Sequence, residues 1–170
     1  MNHYMENGKV APIAVGAQDG QTISVVGGNY RILVSGQQTG GEFATIEMLI
    51  PAGGGPVPHA HAHFHETFYV VEGEVEVKSE AGTYIAKKGA YVVIPKGGII
   101  HKFQNKTDKI ANLLCTVVPA GLEEMFMAMG RPTEAGTFLP PPPIDAEGIK
   151  KMTAMAAEYG QTLYPPDFLG

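Results

Sequence analysis

VPHAHAHFHETFYVVEG, residues 57–73, holds four of the chain's six histidines at alternate positions, with Glu66 directly after the last of them. Extended backbone places residues two apart on one face, so His59 and His61 project together. Glu66 lies five residues beyond His61. That odd spacing would turn its carboxylate to the opposite face of a straight strand. It can join the two histidines only if the chain folds back across Ala62–His65 and returns as a neighbouring strand. ETFYVV begins at that point, with Glu66, Phe68 and Val70 on one side and Thr67, Tyr69 and Val71 on the other. Both sides are substantially apolar, which predicts a strand that is central or covered on its back. Imidazole and carboxylate are the donors expected for one divalent transition metal, either iron, manganese, nickel or cobalt, with zinc also accommodated. The competing reading is a surface strand face or an adventitious metal patch. Four histidines beside a glutamate, between two strands, weigh against it. A further ligand must come from His101, at the entry to HKFQN, or from His3 near the N-terminus.

Working outward, ISVV (23–26), YRILV (30–34), FATIEMLI (43–50), EVEVKSE (74–80), TYIA (83–86), YVVIP (91–95), HKFQN (101–105) and IANLLCTVV (110–118) read as short strands. Most of the 22 glycines and 13 prolines punctuate them. Gly27-Gly28-Asn29 is a tight-turn signal, and Gly53-Gly54-Gly55 allows a sharp bend at a rim. Such spacing predicts an all-β sandwich or closed barrel. After Pro119 the pattern changes. GLEEMFMAMG (121–130) is helical, with Leu122, Met125, Phe126 and Met129 on one face. DAEGIKKMTAMAAEYG (145–160) is the strongest helix, capped by Asp145 and stopped at Gly160, with Ile149, Met152, Ala156 and Tyr159 along one side. Pro140 to Pro143 between them enforce extended backbone. Without a flanking basic residue they read as a stiff connector rather than an SH3 ligand. The expected division is a β-barrel domain over 1–120, including the N-terminal arm, and a helical, proline-rich extension over 121–170 packed on it.

At 170 residues and 18.1 kDa one domain is expected, and 44% apolar residues can build a core without disulfide or zinc. Cys115, alone in LLCTVV, reads as a small buried hydrophobe. A net charge of −5 argues against nucleic acid and anionic membrane, both of which need a concentrated basic face. MNHYMENGKVAP shows no secretory pattern, and the apolar runs are of strand length. A cytoplasmic location is therefore expected. Unpaired edges around residues 10–34 suggest a homodimer.

Residues 53–73 resemble the first signature of the cupin superfamily, with Gly53, His59, His61, Glu66 and Gly73 at its positions. Residues 89–105 resemble the second, with Gly89, Pro95, Gly97, His101 and Asn105. One residue is inserted between Gly97 and His101, so that Gly98 fits the expected distance instead. The resemblance covers roughly residues 23 to 118. It implies a cupin-type double-stranded β-helix (jelly-roll) barrel and a metal held by His59, His61, Glu66 and His101. His63 and His65 would fall in the turn, as rim residues, outer partners or a substitute ligand.

An interior lined by Phe68, Val70, Val93, Phe103 and residues of 110–118 suits an aromatic or otherwise apolar small molecule better than a free sugar. Three classes of function follow. The chain resembles cupins related to quercetin 2,3-dioxygenases, which implies a dioxygenase acting on a flavonol-like or other aromatic or enediol compound, with Glu66 as a catalytic base. The second class is a metal-assisted isomerase, decarboxylase or lyase. The third is a small-ligand-binding cupin without turnover.

Overall fold

The computed structural model describes residues 11–143 and 145–170, so His3 lies outside the described residues. In chain order the strands are β1 (Gln21–Val25), β2 (Gly28–Val34), β3 (Ala44–Ile50), β4 (His59–His61), β5 (His65–Glu72) and β6 (Glu74–Ser79). They continue as β7 (Gly82–Lys87), β8 (Tyr91–Ile94), β9 (His101–Gln104), β10 (Ala111–Val118), β11 (Arg131–Pro132) and β12 (Gln161–Leu163). A one-turn helix, α1 (Gly36–Thr39), follows β2, while α2 (Leu122–Met129) and α3 (Ala146–Glu158) follow β10. All nine expected strand runs form strands. The short β4, β11, β12 and α1 were not separately legible.

The strands make two antiparallel sheets, in the orders β11-β1-β2-β3-β10-β5-β8 and β12-β4-β9-β6-β7. The sheets face each other across one core, where Phe68 of β5 meets Phe103 of β9 edge-on at 5.2 Å. Alternation drives this. In β3, Ala44, Ile46, Met48 and Ile50 are buried while Thr45, Glu47 and Leu49 are half-buried, and β10 repeats the pattern. Each fully buried Ile, Leu or Val contributes about 1.5–3 kcal/mol relative to exposure. The core is thus an all-β double-stranded β-helix of two facing sheets. Its two ladders do not join into a closed barrel among the described residues, because β7 and β8 each end a sheet. The chain passes repeatedly between the sheets, and two of these crossings, the Pro- and Gly-containing loops 51–58 and 95–100, lead to the strands that begin with His59 and His101.

One expectation about facing is met and one is corrected. Strand β5 is interior to its sheet, flanked by β10 and β8, although its outer face is open, with Tyr69 and Val71 42% and 40% exposed. Val93 does not line the interior. The register pairs Glu66 with Ile94 and Phe68 with Val92, so those residues share the inner face and Val93 points outward beside Thr67.

The segment beyond residue 120 enters both sheets. Strand β11 pairs Ile23 with Pro132, closing the β1 edge on which pairing with a second copy was expected. Strand β12 pairs with β4, setting Gln161 opposite His61 and Leu163 opposite His59. Asp145 caps α3 by accepting a hydrogen bond from the Gly148 amide at 2.8 Å. The packed side of α3 is Met152, Met155, Ala156 and Tyr159, whereas Ile149 is exposed because only the second half of the helix meets the core. Asn29, expected to serve the β1–β2 turn, instead donates from Nδ2 to the carbonyls of Glu134 and Thr137, at 2.9 and 2.8 Å. It thereby pins the loop that leads to the prolines. No helix among the described residues is long and apolar enough to cross a membrane.

Candidate metal centre

Strand β4 delivers His59 and His61, and the chain then bends at Ala62 and His63 before β5 starts. Two contacts hold the bend: Gly97 donates its amide to the Ala62 carbonyl at 3.2 Å, and the Phe64 ring stacks on His61 at 4.1 Å. The fold-back required by the odd spacing is therefore present, and it turns Glu66 inward. His101 opens β9, directly opposite His59 in the ladder. The extra residue before His101 is absorbed where Gly97 and Gly98 both adopt positive φ, +117° and +81°. Glu80 fixes the end of this loop by accepting from the Ile100 amide at 2.9 Å.

One ligand atom from each of His59, His61, Glu66 and His101 lies within 4.8 Å of the others, and all four residues are buried. His63 is exposed and His65 half-buried, and neither belongs to the cluster. All three clustered imidazoles share one orientation. His59 Nδ1 faces the Val57 carbonyl at 3.0 Å, His61 Nδ1 the Phe64 carbonyl at 3.1 Å, and His101 Nδ1 the Ile99 carbonyl at 2.9 Å. A carbonyl only accepts, so each Nδ1 carries the proton and each Nε2 directs its lone pair inward. Those lone pairs meet a carboxylate: Glu66 Oε2 is 3.2 Å from His61 Nε2 and 3.5 Å from His101 Nε2. Acceptors facing acceptors in a buried space repel unless a proton or a cation lies among them. His101 Nε2 has no hydrogen-bond partner among the described residues. The residues present therefore fit a single divalent ion, whose identity the donor set leaves open.

The electrostatics agree. Burial, and then the neighbouring His101, push His59 down to about 4, so its imidazole is neutral and able to ligate at neutral pH. Burial alone would raise the Glu66 carboxyl, but in the metal-free site, where a proton lies between it and the His101 and His61 nitrogens, their contacts outweigh that and hold it well below the usual carboxylate range. Both groups therefore bind fewer protons folded than unfolded, and stability must fall with pH. Metal-free protein is expected to lose roughly 3 kcal/mol on this account between pH 6.5 and about 4, from His59 alone at about 1.4 kcal/mol per unit. Denaturant titrations across that range would check it, and His59→Gln should flatten the dependence. A slope unchanged in that variant would refute the assignment.

The centre opens on a cavity of about 170 Å³ between the sheets and the C-terminal helices. Its described lining is apolar apart from Tyr30, His59, Glu66 and Gln161, and contains no lysine or arginine. Tyr30, on β2, packs edge-on against Phe126 of α2 at 5.1 Å and fills the space that a Cβ on Gly28 would take. Burial, and then Cys115 and Glu66, raise its hydroxyl well above the ordinary value, so it stays a donor. Cys115 is more than a packed hydrophobe: its thiol donates to Glu66 Oε1 at 3.6 Å. Tyr30, Phe64, Cys115 and Gln161 carried no signal in the sequence, since each is brought to the site by a partner distant along the chain or by the bend itself. Phe68 and Val70 are packed core rather than lining, while Phe103 lines the cavity. A larger open groove of about 840 Å³ lies over Gly36, Gly121 and Glu123, but the carboxylate in it is already satisfied by two backbone amides.

Comparison with known proteins gives residues 46–117 as a match to the family described as Cupin domain. The chain is 25% identical over 109 residues to quercetin 2,3-dioxygenase of Bacillus subtilis (strain 168). That match covers 64% of this chain but only 32% of the relative, so the chain spans about a third of that protein's length. Among solved structures, it is similar to a sugar phosphate isomerase from a cupin superfamily of Silicibacter pomeroyi DSS-3, with 20% identity and a TM-score of 0.54 over 64% of this chain and 76% of that one. It is also similar to ectoine synthase from P. lautus, with 23% identity and a TM-score of 0.53 over 74% and 86%. At these identities the structural likeness speaks for the fold alone.

Proposed function

We propose that this single cupin-fold domain, related to cupin proteins of diverse activity, is a metal-dependent enzyme that moves a proton on a small carbonyl or enol compound, in the manner of an isomerase, lyase or decarboxylase. One observation carries the reading: three Nε2 lone pairs and a carboxylate converge at the inner end of an apolar cavity, with His101 Nε2 unpartnered. A divalent transition ion held by His59, His61, Glu66 and His101 would act as a Lewis acid toward a substrate oxygen. Glu66, ionised and lining the cavity, would serve as the base on loosening from the ion. It takes the proton from the carbon beside the carbonyl, the C–H electron pair shifts to give the enolate, and the proton returns to that carbon or, where that carbon bears a hydroxyl that loses its own proton, to the former carbonyl carbon. Tyr30 supplies a hydrogen bond to the developing oxyanion. No external oxidant is needed.

A dioxygenase remains the second reading, supported by the water-excluding apolar lining and the partial likeness to quercetin 2,3-dioxygenase. Its substrate would be smaller than a flavonol, because a cavity of about 150 Å³ takes a single benzene-sized ring. The two readings part cleanly. Metal-loaded protein in D₂O under strict anaerobiosis should exchange the α-protons of cyclohexane-1,2-dione at least tenfold faster than metal-stripped protein, and Glu66→Gln should abolish the gain. Oxygen uptake matched to loss of the dione, with no anaerobic exchange, would establish the oxygenase instead. A homodimer, and residues 121–170 folding with the β core as one unit, belong to the same proposal.

A further inference from the structure

The cavity is specific enough to state what it takes. We infer that the site accepts a compact, monocyclic molecule with one oxygenated end and no phosphate, enclosed by the C-terminal extension. This rests on the metal-dependent reading only for which end of the molecule is oxygenated.

Size comes first. At about 170 Å³ the space is close to that of a cavity that binds benzene and well below the ~300 Å³ at which pockets for drug-sized ligands begin. Polarity comes second. A phosphoryl group needs cationic or clustered amide donors, yet the described lining offers no lysine or arginine, and Lys102 reaches the Pro166 carbonyl on the outside instead. A free sugar would bury several hydroxyls against Met48, Met125, Phe126 and Met152, each without a partner and each costing on the order of 1–3 kcal/mol. A ring with oxygen at one end matches the distribution: polar groups of His59, Glu66, Tyr30 and Gln161 toward the ligands, and apolar walls elsewhere.

The walls identify the enclosing element. Strand β12 is hydrogen-bonded to β4, and its Gln161 is buried and faces the same space as His59. Met152 and Ala156 of α3 complete that side. The extension therefore sets the size limit, and the Gln161 amide can serve as the hydrogen-bonding partner of the substrate's oxygen beside the ligands.

The experiment uses the full chain, labelled with ¹³C at the methionine methyls and loaded with zinc. Catechol should shift the methyl signals of Met48, Met125 and Met152 saturably, whereas quercetin and glucose 6-phosphate should leave them in place. Ala156→Phe, which fills the cavity from the α3 side, should weaken catechol at least tenfold while zinc stoichiometry stays at that of the parent. Gln161→Leu, which keeps the volume, should weaken it by a smaller factor. The inference is overturned if quercetin or glucose 6-phosphate shifts these signals at lower concentration than catechol, or if both variants bind catechol as the parent does. Failure of the metal reading looks different: the protein would hold no zinc, yet catechol would still shift the same methyl signals.

Discussion

Replacing His101 with alanine should lower affinity for zinc or cobalt(II) by at least about 100-fold, since loss of an outer partner alone costs about 10–100-fold and this removes a donor outright. The structure makes His101 the sharpest test of the centre. Its Nδ1 is committed to the Ile99 carbonyl, and its Nε2 has no hydrogen-bond partner among the described residues. A cation beside Glu66 would satisfy that buried lone pair. Alanine at His63 or His65 should change affinity less than about threefold, because one is exposed, the other half-buried, and both lie outside the cluster. Competition against a chelator gives the affinities, and cobalt(II) absorption bands report whether the donor set has changed. Equal losses at His63, His65 and His101 would mean that the histidine run binds metal as a surface patch.

Replacing Glu123 with alanine should destabilise the protein by roughly 3 kcal/mol, with glutamine at the same position costing about half as much. The side chain is fully buried, and its two oxygens accept from the amides of Gly36 at 2.7 Å and Gly121 at 2.8 Å. Alanine would leave two donors without partners beneath the fold, and each such group costs about 1–3 kcal/mol. Glutamine keeps one acceptor and presents an NH₂ to the other amide. The carboxylate ties the turn after β2 to the start of α2. Since α2 forms one wall of the cavity, the loss should be accompanied by weaker ligand binding at unchanged metal content. Urea titration measures the stability, and a loss below about 1 kcal/mol for alanine would show that water replaces the carboxylate from the adjoining groove.

Glu123 shows where pattern reading stops. In GLEEMFMAMG the glutamates fall on the polar side of a short helix, which is correct for the helix taken alone. The burial arises because α1, far away in the chain, brings the Gly36 amide over that side. Val93 is a milder case. Its alternation within YVVIP was legible, but which phase faces inward depends on pairing Ile94 with Glu66 across β5. Cys115 looked like any small residue of a buried strand until β10 aligned against β5 and set its thiol beside Glu66.

Local information was sufficient for the nine main strands, the two longer helices with the Asp145 cap, and the bend that turns Glu66 toward His59 and His61, whereas His101 entered the ligand set only through the resemblance of residues 89–105. Those depend on period-2 alternation, helix-end chemistry and the five-residue offset that forces a bend before Glu66, all of which act within a few residues. Tertiary structure alone decided the burial of Glu123, the open ends of the two sheets and the size of the cavity. Each of these is made by groups more than sixty residues apart, or by which neighbour covers a given face. Covalent spacing along one segment cannot encode that, because the same alternation can be satisfied against several different partners.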